Sequence, residues 1–192
     1  LAPVIYKLWA SCLTIIASRY VESNKILSPE QEGFRGGRST ARAILHLLLG
    51  VEDAHAHQKD VIICYLDFKG AYPSADHTQL VRTLRFLGLP EDFCLIVANL
   101  YHGAHTAFIT PSGAATPIPV LRGTLQGDPL SPLLFDLLME PLIRWLNATG
   151  RGYTFESTGL ELASKWYADD ATLISDSIPK MMSQIHTVET YS

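Results

Sequence analysis

The sequence is poor in the features that usually settle a protein class at a glance. It holds three cysteines, Cys12, Cys64 and Cys94, odd in number and far apart in apolar surroundings. That usage argues against a disulfide framework and for reduced core thiols in an intracellular protein. No close Cys or His pair offers a zinc site. His55 and His57 are two apart on a predicted helix and face different directions, while His102 and His105 flank Gly103 in a predicted surface loop. No apolar run of about 18 residues free of charge occurs, so no membrane span is expected. The start, Leu1-Ala-Pro-Val-Ile-Tyr-Lys7, has no initiator Met and no basic leader with a small-residue cleavage site, as expected of a chain entered mid-sequence. Internal repeats and low-complexity runs are absent. Basic excess is missing too. With 15 Lys and Arg against 19 Asp and Glu, the net charge is -4, without the basic footprint that nucleic-acid binding usually leaves.

What is there is a core. At 192 residues and 47% hydrophobic composition, one domain or one lobed unit is expected. Apolar residues at Val4, Ile5, Leu8, Cys12, Ile15 and Ile16 have the spacing of an amphipathic helix. A polar stretch with Pro29 follows, then Gly33-Phe-Arg-Gly-Gly-Arg-Ser-Thr40, three glycines and two arginines just ahead of a new helical pattern. Either this is a solvated basic turn, or glycines admit a ligand to the backbone while Arg35 and Arg38 add positive charge at a helix start. Ser39 or Thr40 is the expected N-cap, with Ala43, Ile44, Leu47, Leu48 and Val51 as the buried stripe. Val61-Ile-Ile-Cys-Tyr-Leu66 is a continuous apolar run of strand length, predicted to be a central strand buried on both faces and ending at Asp67.

Further on, Asp76 is expected to cap a helix with Leu80, Val81, Leu84 and Leu87 inside. The next helix starts at Glu91 and Asp92 and buries Phe93, Ile96, Val97 and Leu100. The arms 106–110 and 116–121 form a predicted hairpin, its second arm confined to an edge by Pro117 and Pro119. Ser131 and Pro132 then open a long helix with the stripe Leu133, Leu134, Leu137, Leu138, Leu142 and Trp145 and a kink at Pro141. Last comes Lys165-Trp-Tyr-Ala-Asp-Asp-Ala-Thr-Leu-Ile-Ser-Asp176, two apolar runs around Asp169-Asp170, read as a hairpin with both carboxylates at its turn. Asp-Asp is a poor turn, because the central residues of such turns favour positive φ and like charges repel. Either Asp is here simply a common turn residue, or such a broken local rule points to a site where a cation offsets the repulsion. Beyond Asp176 the pattern is too short to read.

Asp67 at a strand end and Asp169-Asp170 at a hairpin turn can meet at one sheet edge. Oxygen-only ligands with open positions suit Mg²⁺, and a pair of such ions about 3.5–4 Å apart serves phosphoryl or nucleotidyl transfer. Spacing alone does not separate a polymerase from a phosphatase.

Four blocks in order carry a resemblance: Gln31-Glu-Gly-Phe-Arg-Gly-Gly-Arg-Ser-Thr40, Tyr65-Leu-Asp-Phe-Lys-Gly-Ala-Tyr72, Arg122-Gly-Thr-Leu-Gln-Gly-Asp-Pro-Leu-Ser-Pro132 and Tyr167-Ala-Asp-Asp170. With them the sequence resembles the reverse transcriptase domain of non-LTR retrotransposons, with kinship to group II intron reverse transcriptases, over nearly its whole length. The resemblance implies an α+β fold, the fingers and palm of a right-hand polymerase with an antiparallel palm sheet and packed helices and no thumb. Fingers would run over about 1–60 and 77–115, palm over about 61–76 and 116–192. It implies an RNA-directed DNA polymerase, part of a retrotransposon polyprotein, that adds dNTPs to a DNA primer 3′-OH on an RNA template. Asp67, Asp169 and Asp170 would be the catalytic ligands of two Mg²⁺ ions, with Mn²⁺ a substitute. Tyr72 would be the aromatic gate under the sugar, leaving no room for a 2′-hydroxyl, unless it is a core aromatic. Gln126 and Gly127 would pack on the nascent base pair, Phe68 and Lys69 would border the triphosphate through their backbone, and Arg35 and Arg38 would contact template or phosphate.

The resemblance further implies a thumb and an endonuclease domain elsewhere in the parent chain, and nuclear action in a eukaryotic host. Pro73 stands where many relatives carry Asp, and Gly70 where they often carry Lys. Neither change removes a metal ligand. Two alternatives stay open: an RNA-directed RNA polymerase, against which Tyr72 argues, and a silent scaffold, which would be free to lose carboxylates that are all present here.

Overall fold

The computed structural model describes residues 3–107, 109–111, 113–125 and 127–191. Two helices, α1 (Val4–Ser23) and α2 (Thr40–Ala56), precede strand β1 (Ile62–Leu66). A single helical turn, α3 (Ala71–Ser74), leads to α4 (His77–Phe86) and α5 (Glu91–Tyr101). Four two-residue strands follow: β2 (His105–Thr106), β3 (Ile109–Thr110), β4 (Gly113–Ala114) and β5 (Ile118–Pro119). Then come α6 (Ser131–Ala148), β6 (Tyr153–Thr154), β7 (Glu161–Leu162), β8 (Ser164–Tyr167), β9 (Asp170–Ser175) and α7 (Ile178–Tyr191). All named strand pairs are antiparallel, so the fold mixes helices with antiparallel sheets. No helix of the described residues is long and apolar enough to cross a membrane.

The chain divides into two compact units, Leu1–Ile26 with Gly70–Leu138, and Leu27–Lys69 with Met139–Ser192.

In the first unit α4 and α5 pack on each other. The Asp76 carboxylate accepts the Gln79 N–H at 2.9 Å, the expected cap, and Leu80, Val81, Leu84 and Leu87 are buried as their spacing predicts. Phe93 and Val97 are buried on α5, while Ile96 and Leu100 are half-buried. The expected hairpin corresponds to two short ladders, β2 with β5 and β3 with β4, with Phe108 and Ser112 outside the described residues. On α1 the expected stripe fails. Val4 and Ile5 are each 83% exposed, Leu8, Ile15, Ile16 and Cys12 are exposed, and the buried positions are Ala10, Ala17 and Val21. This helix is apolar nearly all round, so its periodicity could not choose the face, and small alanines allow the closest packing.

The second unit is built on a three-stranded sheet ordered β1-β9-β8. β1 is thus an edge strand, not the doubly buried central strand expected from its apolar run, and its Tyr65 is exposed. The central strand is β9, with Ala171, Leu173 and Ile174 buried. α7, unread in the sequence, packs on β9 and β1, and α2 packs on β8. The face α2 turns inward is also displaced from expectation. Gly50 and Ala54 are buried and Ala43 and Leu47 half-buried, while Ile44, Leu48 and Val51 are exposed. Gly50 makes that approach possible, because a Cβ there would stand 3.0 Å from Ile174 Cδ1. α6 is one uninterrupted helix with Pro141 inside it. Leu146 is buried on it, whereas Trp145, expected inside, is exposed. Glu140, fully buried on this helix, accepts Ser28 N–H (2.9 Å), Ser28 O–H (2.6 Å) and Arg144 Nε–H (2.7 Å).

Candidate active site

The sheet of the second unit sets three carboxylates at one end. β1 pairs with β9 from Ile62↔Ser175 to Leu66↔Ala171, and Asp67 and Asp170 are the next residues of the two strands. Continuing that register puts Asp67 opposite Asp170, and directly opposed residues of a ladder project from the same face. β8 and β9 meet at Tyr167↔Asp170, leaving Ala168 and Asp169 as the two central residues of the turn. This corrects the reading that Asp169-Asp170 fill the turn. The positive φ that such turns demand falls on Ala168, at +57°, and Asp170 is the first residue of β9.

Asp67 and Asp170 are exposed and Asp169 is half-buried. Among the described residues none of the three carboxylates takes a hydrogen bond or an ion pair. The donor set is therefore free, oxygen-only and anionic, which suits a hard divalent cation. The three are brought to one sheet end without being gathered to a point: among the described residues no group of three or more His, Cys, Asp or Glu is close enough to hold a metal ion. Asp170 also lines a groove of about 350 Å³ between α2 and the sheet, together with Ile44, Leu48, Tyr65 and Tyr167. Phe68 stacks on the fully buried Trp166 with ring centroids 5.9 Å apart, and Lys69 is exposed.

The loop before α2 serves this hairpin from below. Glu32 N–H donates to Trp166 C=O (2.8 Å), and Trp166 N–H donates to Glu30 C=O (3.0 Å). Arg35 Nη1 donates to the carbonyls of Ser28 (2.6 Å) and Gln31 (2.9 Å), and Arg38 Nη1 to that of Pro29 (2.8 Å). The buried Glu32 carboxylate faces three cations, Arg38, Arg42 and Lys165, at 3.5, 3.4 and 3.6 Å. Burial pushes the Lys165 ammonium below its ordinary value, and the Glu32 and Glu30 carboxylates oppose that. Sequence reasoning found the glycines and arginines of this loop but missed Gln31, Glu32 and Lys165. A Lys in a strand facing a Glu of a distant loop leaves no local signal.

In the first unit Tyr72 lies in α3, half-buried, and stacks on Phe135 with centroids 4.5 Å apart at 24°. Its carbonyl accepts Thr124 N–H at 3.0 Å, and Gly123 N–H donates to Ala75 C=O at 2.8 Å. Gly123 has φ +89°, and a Cβ there would come within 2.8 Å of the Pro73 backbone. The loop that resembles a template-side element thus lies directly on the turn that carries Tyr72. Gln126 lies outside the described residues. Gly127, at φ +77°, is exposed with open space on the side a Cβ would fill. Asp128 anchors the loop: it is buried and accepts Tyr6 O–H at 2.7 Å and Leu130 N–H at 3.0 Å. Burial and the Asp128 carboxylate together raise the Tyr6 phenol well above its ordinary value.

The chain is 35% identical over 134 residues to the retrovirus-related Pol polyprotein from type-2 retrotransposable element R2DM of Drosophila melanogaster, covering 69% of this chain and 12% of that protein. It is 27% identical over 178 residues to the Pol polyprotein from type-1 retrotransposable element R2 of Popillia japonica, covering 92% of this chain and 25% of that one. The chain therefore spans a quarter or less of these two relatives. Among solved structures it shares the fold of apo telomerase from Candida Tropicalis, with a TM-score of 0.66 at 11% identity, over 96% of this chain and 33% of that one. Telomerase from Candida albicans, solved with a fragment of telomeric RNA, gives a TM-score of 0.62 at 12% identity, over 94% and 32% of the respective chains. Residues 4–192 match the family described as reverse transcriptase (RNA-dependent DNA polymerase), and it is to this family that the chain belongs.

Proposed function

We propose that the chain carries the nucleotidyl-transfer centre of an RNA-directed DNA polymerase encoded by a non-LTR retrotransposon. The observation that carries the reading is the register of the sheet. β1 ends at Leu66↔Ala171, so Asp67 meets the Ala168-Asp169-Asp170 corner at one sheet end, with three carboxylates that no cation among the described residues engages. Asp67 and Asp169, with Asp170 in support, would hold two divalent cations, Mg²⁺ with Mn²⁺ a substitute. When bound, these activate the primer 3′-hydroxyl and stabilise the leaving pyrophosphate. The buried sheet residues fix where the carboxylates stand. Tyr72, held from one side by Phe135, would close the space beside the sugar 2′ carbon and so select dNTPs. Gly127, exposed with open space on its Cβ side, would pack on the nascent base pair, with Gln126 beside it in sequence. Phe68 and Lys69 follow Asp67 directly, where their backbone N–H groups can meet the triphosphate.

Arg35 and Arg38, whose Nη1 groups donate to loop carbonyls, would contact template or phosphate from the loop before α2. In this reading the fingers run over about 1–60 and 77–115 and the palm over about 61–76 and 116–192. RNA template and DNA primer are the partners. The test is primer extension by the full-length protein on an RNA template with dNTPs and Mg²⁺, beside Asp169→Asn. The expected result is template-encoded DNA from the wild type and a loss of at least about 10³-fold in the variant, the scale on which a group acting as part of a catalytic unit counts. Equal extension by both proteins would end this reading.

A further inference from the structure

The turn that presents Asp169 is held by a residue on another element. Ala168 adopts φ +57°, a conformation that costs any residue with a Cβ and that Gly would adopt freely. The compensation is Gln31, whose side chain is sealed from solvent. Its Oε1 accepts Ala168 N–H at 3.0 Å and Gly33 N–H at 2.9 Å, and its Nε2 donates to Ala168 C=O at 3.3 Å. One side-chain amide thus grips both polar groups of the strained residue. Gly33 completes the grip by close approach, since a Cβ there would lie 2.4 Å from Ala168 N. The base of the clamp is itself fixed: Gln31 is bridged to Trp166, and the neighbouring Glu32 is tied to Arg38, Arg42 and Lys165. Phe34, also at positive φ (+51°), lays its ring against Tyr167 at 6.2 Å. Two left-handed non-glycine residues around one buried amide mark a place where strain is held by design.

We propose that Gln31 is a positioning residue of the reaction centre, clamping the left-handed Ala168 peptide and thereby setting where Asp169 and Asp170 stand. It touches neither substrate nor metal and acts only through the turn. The inference rests on the proposed role of Asp169.

The experiment compares wild type, Gln31→Met, and the double variant Gln31→Met with Ala168→Gly, in the full-length protein. Methionine matches the length and removes all three hydrogen bonds, and glycine removes the penalty that makes the clamp necessary. Two readouts are taken, hydrogen–deuterium exchange of the peptide spanning 165–175, and kcat and KM for dNTP in primer extension. Gln31→Met is expected to raise hairpin exchange at least about tenfold. It is also expected to lower kcat by about ten- to a hundredfold with KM for dNTP within about twofold, as for lost alignment rather than lost binding. The double variant recovers part of both losses, and if Gln31→Met alone fails to fold, folding of the double variant is the same rescue. Unchanged exchange and kcat in Gln31→Met, or a double variant no better than the single one, would overturn the proposal. Failure of the underlying reading is separate: there Asp169→Asn stays active, while the exchange data still report whether Gln31 holds the turn.

Discussion

Ala168 is the residue on which the site turns. A hairpin of two residues needs positive φ, and the chain meets that need with an alanine where glycine or asparagine is usual. The oddity of the turn was legible in the sequence, but the strain was assigned to the wrong residue. Asp169-Asp170 drew attention as paired charges, whereas the backbone cost sits one position earlier. Only the pairing register of β8 with β9, which meet at Tyr167↔Asp170, reveals this. Tyr72 makes the opposite case, a position named by the sequence whose surroundings the structure supplies. Its ring is half-buried and stacked on Phe135, and its role as a gate is the part of the proposal that a substitution can test. Tyr72→Ala should lower the preference for dNTP over NTP by about ten- to a hundredfold, the discrimination that about 1–3 kcal/mol of steric contact supports. Single-nucleotide incorporation with dATP and ATP measures it, and an unchanged ratio would remove Tyr72 from the gate.

At the scale of elements, what the sequence predicted well were features with a local cause. The Asp76 cap, the buried stripe of α4, the apolar first half of α6 and the glycine-rich loops were all readable, because capping and helical period act within a few residues. What it misjudged were faces and places. α1 and α2 are apolar around most of their circumference, so the stripe chosen by spacing was not the stripe that packs. β1 has the composition of a buried central strand and stands at the sheet edge, since an apolar run records hydrophobicity and not neighbours. Gly123 shows what a loop glycine can mean once the partner element is known. A Cβ at that position would be driven into the Pro73 backbone at 2.8–2.9 Å, and φ is +89°. Gly123→Ala should therefore destabilise the first unit by about 1–3 kcal/mol, combining backbone strain with overpacking. Urea denaturation followed by the fluorescence of Trp9 would register it, and an unchanged midpoint would show that the loop yields at no cost.

For the whole molecule, the balance of charge ceases to be a puzzle once its location is known. A net charge of -4 does not describe a nucleic-acid binder, but three of the acids stand at one sheet end without an ion pair among the described residues, and Glu32 and Glu140 are buried among arginines and a lysine. In the proposed reaction Asp67, just after β1, and Asp169, in the hairpin turn, serve one chemical centre. Groups that act as a unit are non-additive: removing either costs about as much as removing both. Single-turnover incorporation of one dNTP on an RNA template, measured for Asp67→Asn, Asp169→Asn and the double variant, tests this most directly. Each single variant should fall by at least about 10³-fold, with the double no lower than the worse single within about threefold. Near-wild-type incorporation by either single variant, or losses that multiply in the double, would contradict it.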